Sequence, residues 1–242
     1  MRDYKVETTK RVEFIRKLLE ESGASGIVFG NSGGKDSALV GILCKLACDN
    51  TVGIMMPCTS SCNYDEDMTD AMMISKLYRI EKRMVDLTKT AETIGKALTD
   101  AAEITKAAEI NIAPRLRMTA LYAVATTENR LVAGTGNKSE RHMGYFTKWG
   151  DGAFDFNPIA DLTVTEIRKF LTHFDVPKRI INKAPSAGLY AGQTDEEDMG
   201  VTYKAIDEYL SSGACEPEDM ETIARYHKIS AHKRTNPNVY ED

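Results

Sequence analysis

The chain has 242 residues, 42% of them hydrophobic and 28% charged, and a formal net charge of −5. That length carries one sizeable α/β domain or two small ones. The acidic balance argues against a nucleic-acid partner, which is gripped by a basic surplus. No run reaches the ~18 apolar residues of a membrane span, and the polar start MRDYKVETTKRVEF has no apolar segment of the export type. The expectation is a cytoplasmic protein with neither membrane nor nucleic acid as partner.

In chain order, residues 8–21 place Val12, Ile15, Leu18 and Leu19 at spacings of three and four, which predicts an amphipathic helix. GIVFG (26–30) reads as a short buried strand, and DSALVGILCKLAC (36–48) returns to helical spacing. TVGIMMP (51–57) is a second strand stopped by Pro57. DEDMTDAMMISKLY (65–78) opens on acidic residues, as a helix N-terminus favours. RIEKRMVDL (79–87) predicts a third strand, residues 88–103 and 113–130 two further helices, and RLVAGT (130–135) a fourth strand. Strands alternating with helices imply a doubly wound, mainly parallel sheet with helices on both faces. Residues 136–162 are glycine-rich and weakly periodic. Helices return at 163–174, around 199–210 and at 216–230, giving a helical C-terminal part. Without a linker or repeat, the expectation is a single domain over 1–242.

Five cysteines, Cys44, Cys48, Cys58, Cys62 and Cys215, do not suggest a disulfide framework. Cys44 and Cys48 fall one turn apart in an apolar helix and read as core. Cys58 and Cys62 lack a second Cys/His pair at matching spacing and read as two reduced thiols rather than half of a metal site.

The stretch GIVFGNSGGKDSALV joins a strand, a glycine turn and a helix, an arrangement that binds anions through backbone N–H groups and the helix dipole. Gly33 and Gly34 let the backbone approach phosphate closely. Ser32 and Ser37 can donate hydroxyl hydrogen bonds. Asp36 opens the helix, can cap it, and can hold a Mg²⁺ that bridges phosphates. The string is neither a Walker A motif, since Lys35 is followed by Asp36 and position 29 is Phe, nor a G-x-G-x-x-G fingerprint.

Ser32-Gly33-Gly34-Lys35-Asp36-Ser37 resembles the pyrophosphate loop of the ATP-pyrophosphatase enzymes, which cleave ATP to AMP and pyrophosphate while adenylating a carboxylate, amide or urea-type oxygen. The segments LVAGTGNKSERHMGYFTKWGDGAFDFNPIADL and APSAGLYAGQTDEEDMGVTYKAIDEYL, with RLRM (115–118) and HKR (232–234), resemble the ammonia-dependent NAD synthetase family. That resemblance spans nearly the whole chain. It implies an amide-forming ligase that joins ATP, deamido-NAD and ammonia through an acyl-adenylate.

Carried over residue by residue, the resemblance assigns Gly30, Asn31, Ser32, Gly33, Gly34, Lys35, Asp36 and Ser37 to the ATP phosphates. Thr135 and Ser186 would also contact ATP, and Asp36 and Glu140 would be Mg²⁺ ligands. Arg115, Lys148, Asp155, His232 and Lys233 match positions that contact deamido-NAD. It further implies a homodimer, with the helices at 88–105 and 112–129 as candidates for its interface. One position departs: where the family usually carries a lysine reaching ATP, this chain has Val164, with Arg168 or Lys169 as conceivable substitutes. The glycine- and alanine-bearing segment 184–198 reads as a long loop that orders over substrate. Two alternatives stay open: a tRNA-modifying adenylating enzyme with the same loop, and a nucleotide-binding paralogue without catalysis.

Overall fold

The computed structural model describes residues 2–58, 64–184 and 194–240. Cys62, Ser186 and most of the 184–198 loop lie outside the described residues. The elements run α1 (Tyr4–Ser22), β1 (Gly26–Gly30), α2 (Lys35–Ala47), β2 (Thr51–Met55), α3 (Tyr64–Leu77), β3 (Glu81–Met84), α4 (Thr88–Leu98), α5 (Lys106–Ile110), α6 (Ile112–Glu128) and β4 (Arg130–Ala133). They continue with α7 (Lys138–Met143), α8 (Val164–His173), α9 (Lys178–Ile181), α10 (Asp195–Met199), α11 (Tyr203–Ser212), α12 (Pro217–Ile229) and a 3₁₀ turn (Ala231–Lys233).

The four strands form a parallel sheet in the order β3-β2-β1-β4. Alternation along β1 and β4 divides their side chains between two faces. Ile27, Phe29 and Ala133 join one buried cluster with Leu39 and Leu43 of α2 and Ile167 and Phe170 of α8. Val28 and Val132 point the other way, joining Val52, Ile54 and the α6 residues Ala113 and Ala125. Helices therefore cover both faces, as the alternation implied. The predicted third strand shortens to Glu81–Met84 because only β2 pairs with it and its residues are mostly exposed. A third cluster, built on Met143, Val164, Tyr203, Ile206 and Ile223, ties α7, α8, α11 and α12 together.

Local chemistry fixes the ends. Asp3 caps α1 by accepting hydrogen bonds from the Lys5 and Val6 N–H groups, and Gly23 ends it with φ +66°. The helix expected around 199–210 starts later, at Tyr203, because Gly200 terminates α10 just before it. Asp36 does not cap α2: Gly34 holds the cap position, and Asp36 sits in the first turn, where it meets the helix dipole instead. Cys44 is fully buried in the first cluster, with Cys48 packed against it. Among the described residues no helix is long and apolar enough to cross a membrane.

Candidate active site

β2 lies on one side of β1 and β4 on the other, so the chain's direction of progress across the sheet reverses between β1 and β4. A crevice opens outside the carboxyl ends of strands at such a point. Here it is a cavity of about 1040 Å³ lined by the phosphate loop, by Thr135 and Gly136 after β4, by Glu140, and at its far end by Phe146, His232 and Lys233.

The loop is held open by its own residues. Asn31 is buried; its Nδ2 donates to the Ala71 carbonyl (3.2 Å) and to Ser75 Oγ (3.1 Å), which pins the loop to α3. Gly33 has φ +75°, and a Cβ there would lie 2.1 Å from the Asp67 carbonyl oxygen. Only glycine fits that crossing. The Ser32 and Ser37 hydroxyls sit 3.1 Å apart, and the Gly34 N–H donates to Ser32 Oγ. The α2 N-terminus faces the cavity with N–H groups that have no partner within the helix.

Asp36 and Glu140, far apart in sequence, meet beside this loop. Asn137 bridges them: its Nδ2 donates to Asp36 Oδ1 (3.4 Å), and its backbone N–H donates to Glu140 Oε2 (3.0 Å). The second bond belongs to a capping box that fixes Glu140 at the start of α7. Burial, then the Asp36 charge, hold the Glu140 carboxyl well above the usual carboxylate range. Lys35, only 3% exposed, places its ammonium 2.9 Å from Asp36 Oδ2 and 6.0 Å from the Tyr203 ring centre. Two carboxyl groups meeting at a phosphate loop fit a Mg²⁺ ion, which takes one or two carboxylates and completes its shell with water and phosphate. Among the described residues no cluster of three or more His, Cys, Asp or Glu forms a self-sufficient metal site.

At the far end, the Lys233 ammonium donates to the Gly144 and Phe146 carbonyls (2.8 and 2.7 Å), and burial lowers its pKa. Arg117 also lines the cavity; among the described residues its Nε donates to the Met56 carbonyl at 3.0 Å. The sequence reading passed over Arg117, although it is the second arginine of RLRM and lies two positions from Arg115. It also passed over Lys183, which links the loop to α3 by reaching the Gly33 carbonyl (3.5 Å) as well as Asp67 (2.6 Å) and Asp70 (2.8 Å).

The remaining predicted residues divide. Gly30, Asn31, Ser32, Gly34, Lys35, Asp36, Ser37, Thr135, Glu140, His232 and Lys233 line the cavity. Gly33 supports the loop from behind. Arg115 and Lys148 form a rim with His232: Arg115 Nη2 contacts the Lys148 carbonyl (3.5 Å), and Lys148 Nζ donates to the His232 carbonyl (2.7 Å). Asp155 lies apart from the cavity lining, accepting from the Val132 N–H (2.7 Å) and the Tyr122 hydroxyl (3.1 Å). Val164 is fully buried in the apolar cluster under Tyr203, so that position presents no cation. Neither Arg168 nor Lys169 lines the cavity.

Residues 7–237 match the NAD synthase family. The NH₃-dependent NAD⁺ synthetase of Carboxydothermus hydrogenoformans is 45% identical over 240 residues, covering 98% of each chain. Among solved structures, the NMN synthetase from Francisella tularensis superposes with a TM-score of 0.94 at 34% identity over the whole of both chains. The NH₃-dependent NAD synthetase from Campylobacter jejuni superposes with a TM-score of 0.82 at 28% identity, again over the whole of both. Fold, phosphate loop, acid pair and full-length likeness agree: this chain belongs to the NAD synthase family.

Proposed function

We propose that this protein is an ammonia-dependent NAD synthetase, converting deamido-NAD, ATP and ammonia to NAD, AMP and pyrophosphate. The observation that carries this reading is the Asp36–Glu140 pair facing a phosphate loop in a cavity that continues to Lys233 and His232. The α2 N-terminus and the loop N–H groups bind and orient the ATP phosphates. Asp36 and Glu140 would hold Mg²⁺, which when bound neutralises phosphate charge so that one anion can approach another. Thr135 and Ser186 contact ATP. Arg115, Lys148, Asp155, His232 and Lys233 position the dinucleotide, with Lys233 fixed by two carbonyls beside the Phe146 ring.

A nicotinate carboxylate oxygen bonds to the α-phosphorus and the bond to the β-phosphate oxygen breaks, releasing pyrophosphate. Ammonia then attacks the acyl carbon, AMP leaves with the electron pair of the acyl C–O bond, and the nitrogen loses a proton. The carboxylate is a poor electrophile until adenylation gives it a good leaving group.

The same proposal includes a single domain over 1–242, a cytoplasmic setting and a homodimer. The dimer is supported by α4, which buries no residue within the chain, and by α6, which buries only Ala113, Pro114 and Ala125. No nucleic-acid partner is invoked, in keeping with the charge of −5.

A second reading concerns the acceptor. The Francisella tularensis NMN synthetase superposes over the full chain. That likeness favours a mononucleotide acid as an alternative acceptor. Comparing kcat/KM for deamido-NAD and for nicotinate mononucleotide decides between the two acceptors. Pyrophosphate release with tRNA as acceptor, or with none of the three, marks the tRNA-modifying and non-catalytic alternatives.

A further inference from the structure

Lysine is almost never fully buried unless paired. Lys35 is 3% exposed, and among the described residues its one ion-pair partner is Asp36. Beside its ammonium lies the ring of Tyr203, in the apolar cluster that holds Val164, and Lys35 itself lines the cavity. Asp36 in turn is joined through Asn137 to Glu140. The Lys35 ammonium therefore already answers the Asp36 carboxylate.

Resting on the reading that Asp36 and Glu140 hold Mg²⁺, we propose that Lys35 is the resident counter-ion of that site, so that divalent metal enters together with nucleotide and not ahead of it. A free dication meets a site whose Asp36 ligand already faces an ammonium at 2.9 Å. Triphosphate changes the balance. Lys35 is the first residue of α2, in the loop that faces the phosphates, and its four-carbon stem lets the ammonium move from Asp36 to a phosphate oxygen. Asp36 is then free to take metal, and the ammonium remains as a phosphate contact. Lys35 acts here as a positioning residue for the metal ligand.

The test is a Mn²⁺ titration of the full-length protein, following free Mn²⁺ by its paramagnetic resonance, with and without α,β-methylene ATP. Wild type is expected to bind Mn²⁺ alone weakly and at least about tenfold more tightly with the analogue, because a like charge so close to the ligand opposes the ion. Lys35→Met is expected to bind Mn²⁺ alone at least about tenfold more tightly than wild type and to lose most of the enhancement by the analogue. Lys35→Arg, which keeps the charge, is expected to follow wild type. Equal Mn²⁺ affinity of wild type and Lys35→Met without nucleotide overturns the proposal. If no protein binds Mn²⁺ even with the analogue, the metal assignment of Asp36 and Glu140 is itself wrong, and the proposal falls with it. If Lys35→Met does not fold, Lys35→Gln carries the same comparison. Folding of Lys35→Met only when Mn²⁺ is present counts in favour, since the ion then supplies the missing positive charge.

Discussion

Replacing Gly33 by alanine tests whether the phosphate loop is held by its crossing over α3. Two effects act at that position. A left-handed backbone costs an L-residue ~1–2 kcal/mol, and Gly33 has φ +75°. The added methyl would also lie 2.1 Å from the Asp67 carbonyl oxygen and 3.2 Å from the Ala71 nitrogen. Both neighbours are helix backbone, so the loop must move away by about 1 Å or α3 must; overpacking of this kind costs ~1–3 kcal/mol. Gly23 provides the control, because it too is left-handed (φ +66°) but has nothing within 4 Å of its Cβ site. Urea unfolding is expected to show Gly23→Ala losing ~1–2 kcal/mol and Gly33→Ala losing ~2–5 kcal/mol. ATP affinity should fall only in Gly33→Ala, since only that change shifts the N–H groups facing the cavity. Equal losses of stability in the two variants, or wild-type ATP affinity in Gly33→Ala, would refute the argument.

Glu140→Gln keeps the shape but removes the carboxyl group proposed to hold Mg²⁺, and kcat for adenylation should drop by ~10²–10³-fold, the scale of one lost electrostatic stabiliser; near wild-type turnover at low Mg²⁺ would remove Glu140 from the site. Burial works to raise the Asp161 carboxyl, but the hydrogen bond and charge of Arg11 and the charge of Arg2 prevail, leaving it below its ordinary 3.8. The unfolded chain therefore takes up this proton first, so the contribution is complete above about pH 4 and disappears as pH falls through the folded value. Urea midpoints from pH 5 to 3 should fall less steeply in Asp161→Asn than in wild type, and parallel slopes would contradict this. Because ammonium has no lone pair, the KM for total ammonia should fall as pH rises through the mildly alkaline range, and turnover on glutamine that survives an ammonia scavenger would exclude free ammonia as the donor.

The phosphate loop was legible in the sequence because a strand, two glycines and a helix start form a local structure whose chemistry does not depend on distant residues. Thr135 and Glu140 were legible only through resemblance; their convergence on Asp36 follows from β4 pairing beside β1, a long-range fact that periodicity does not encode. The helices α7 and α10 were missed because each is short and starts from a side-chain cap, Asn137 or Thr194, inside weakly periodic sequence. Asp36 was misread as a cap because capping residue types are equally at home in the first turn. The burial of Lys35 against Asp36 and Tyr203 could not be read from the chain, because it depends on α2, α8 and α11 packing together.

The most direct test of the central claim is a product analysis of the purified protein with ATP, Mg²⁺, ammonium at mildly alkaline pH, and deamido-NAD or nicotinate mononucleotide. Chromatography should show AMP, pyrophosphate and the nicotinamide product in equal amounts, with no AMP when the acid nucleotide is withheld. ADP and phosphate in place of AMP and pyrophosphate, or no amide with either acceptor, would contradict the account.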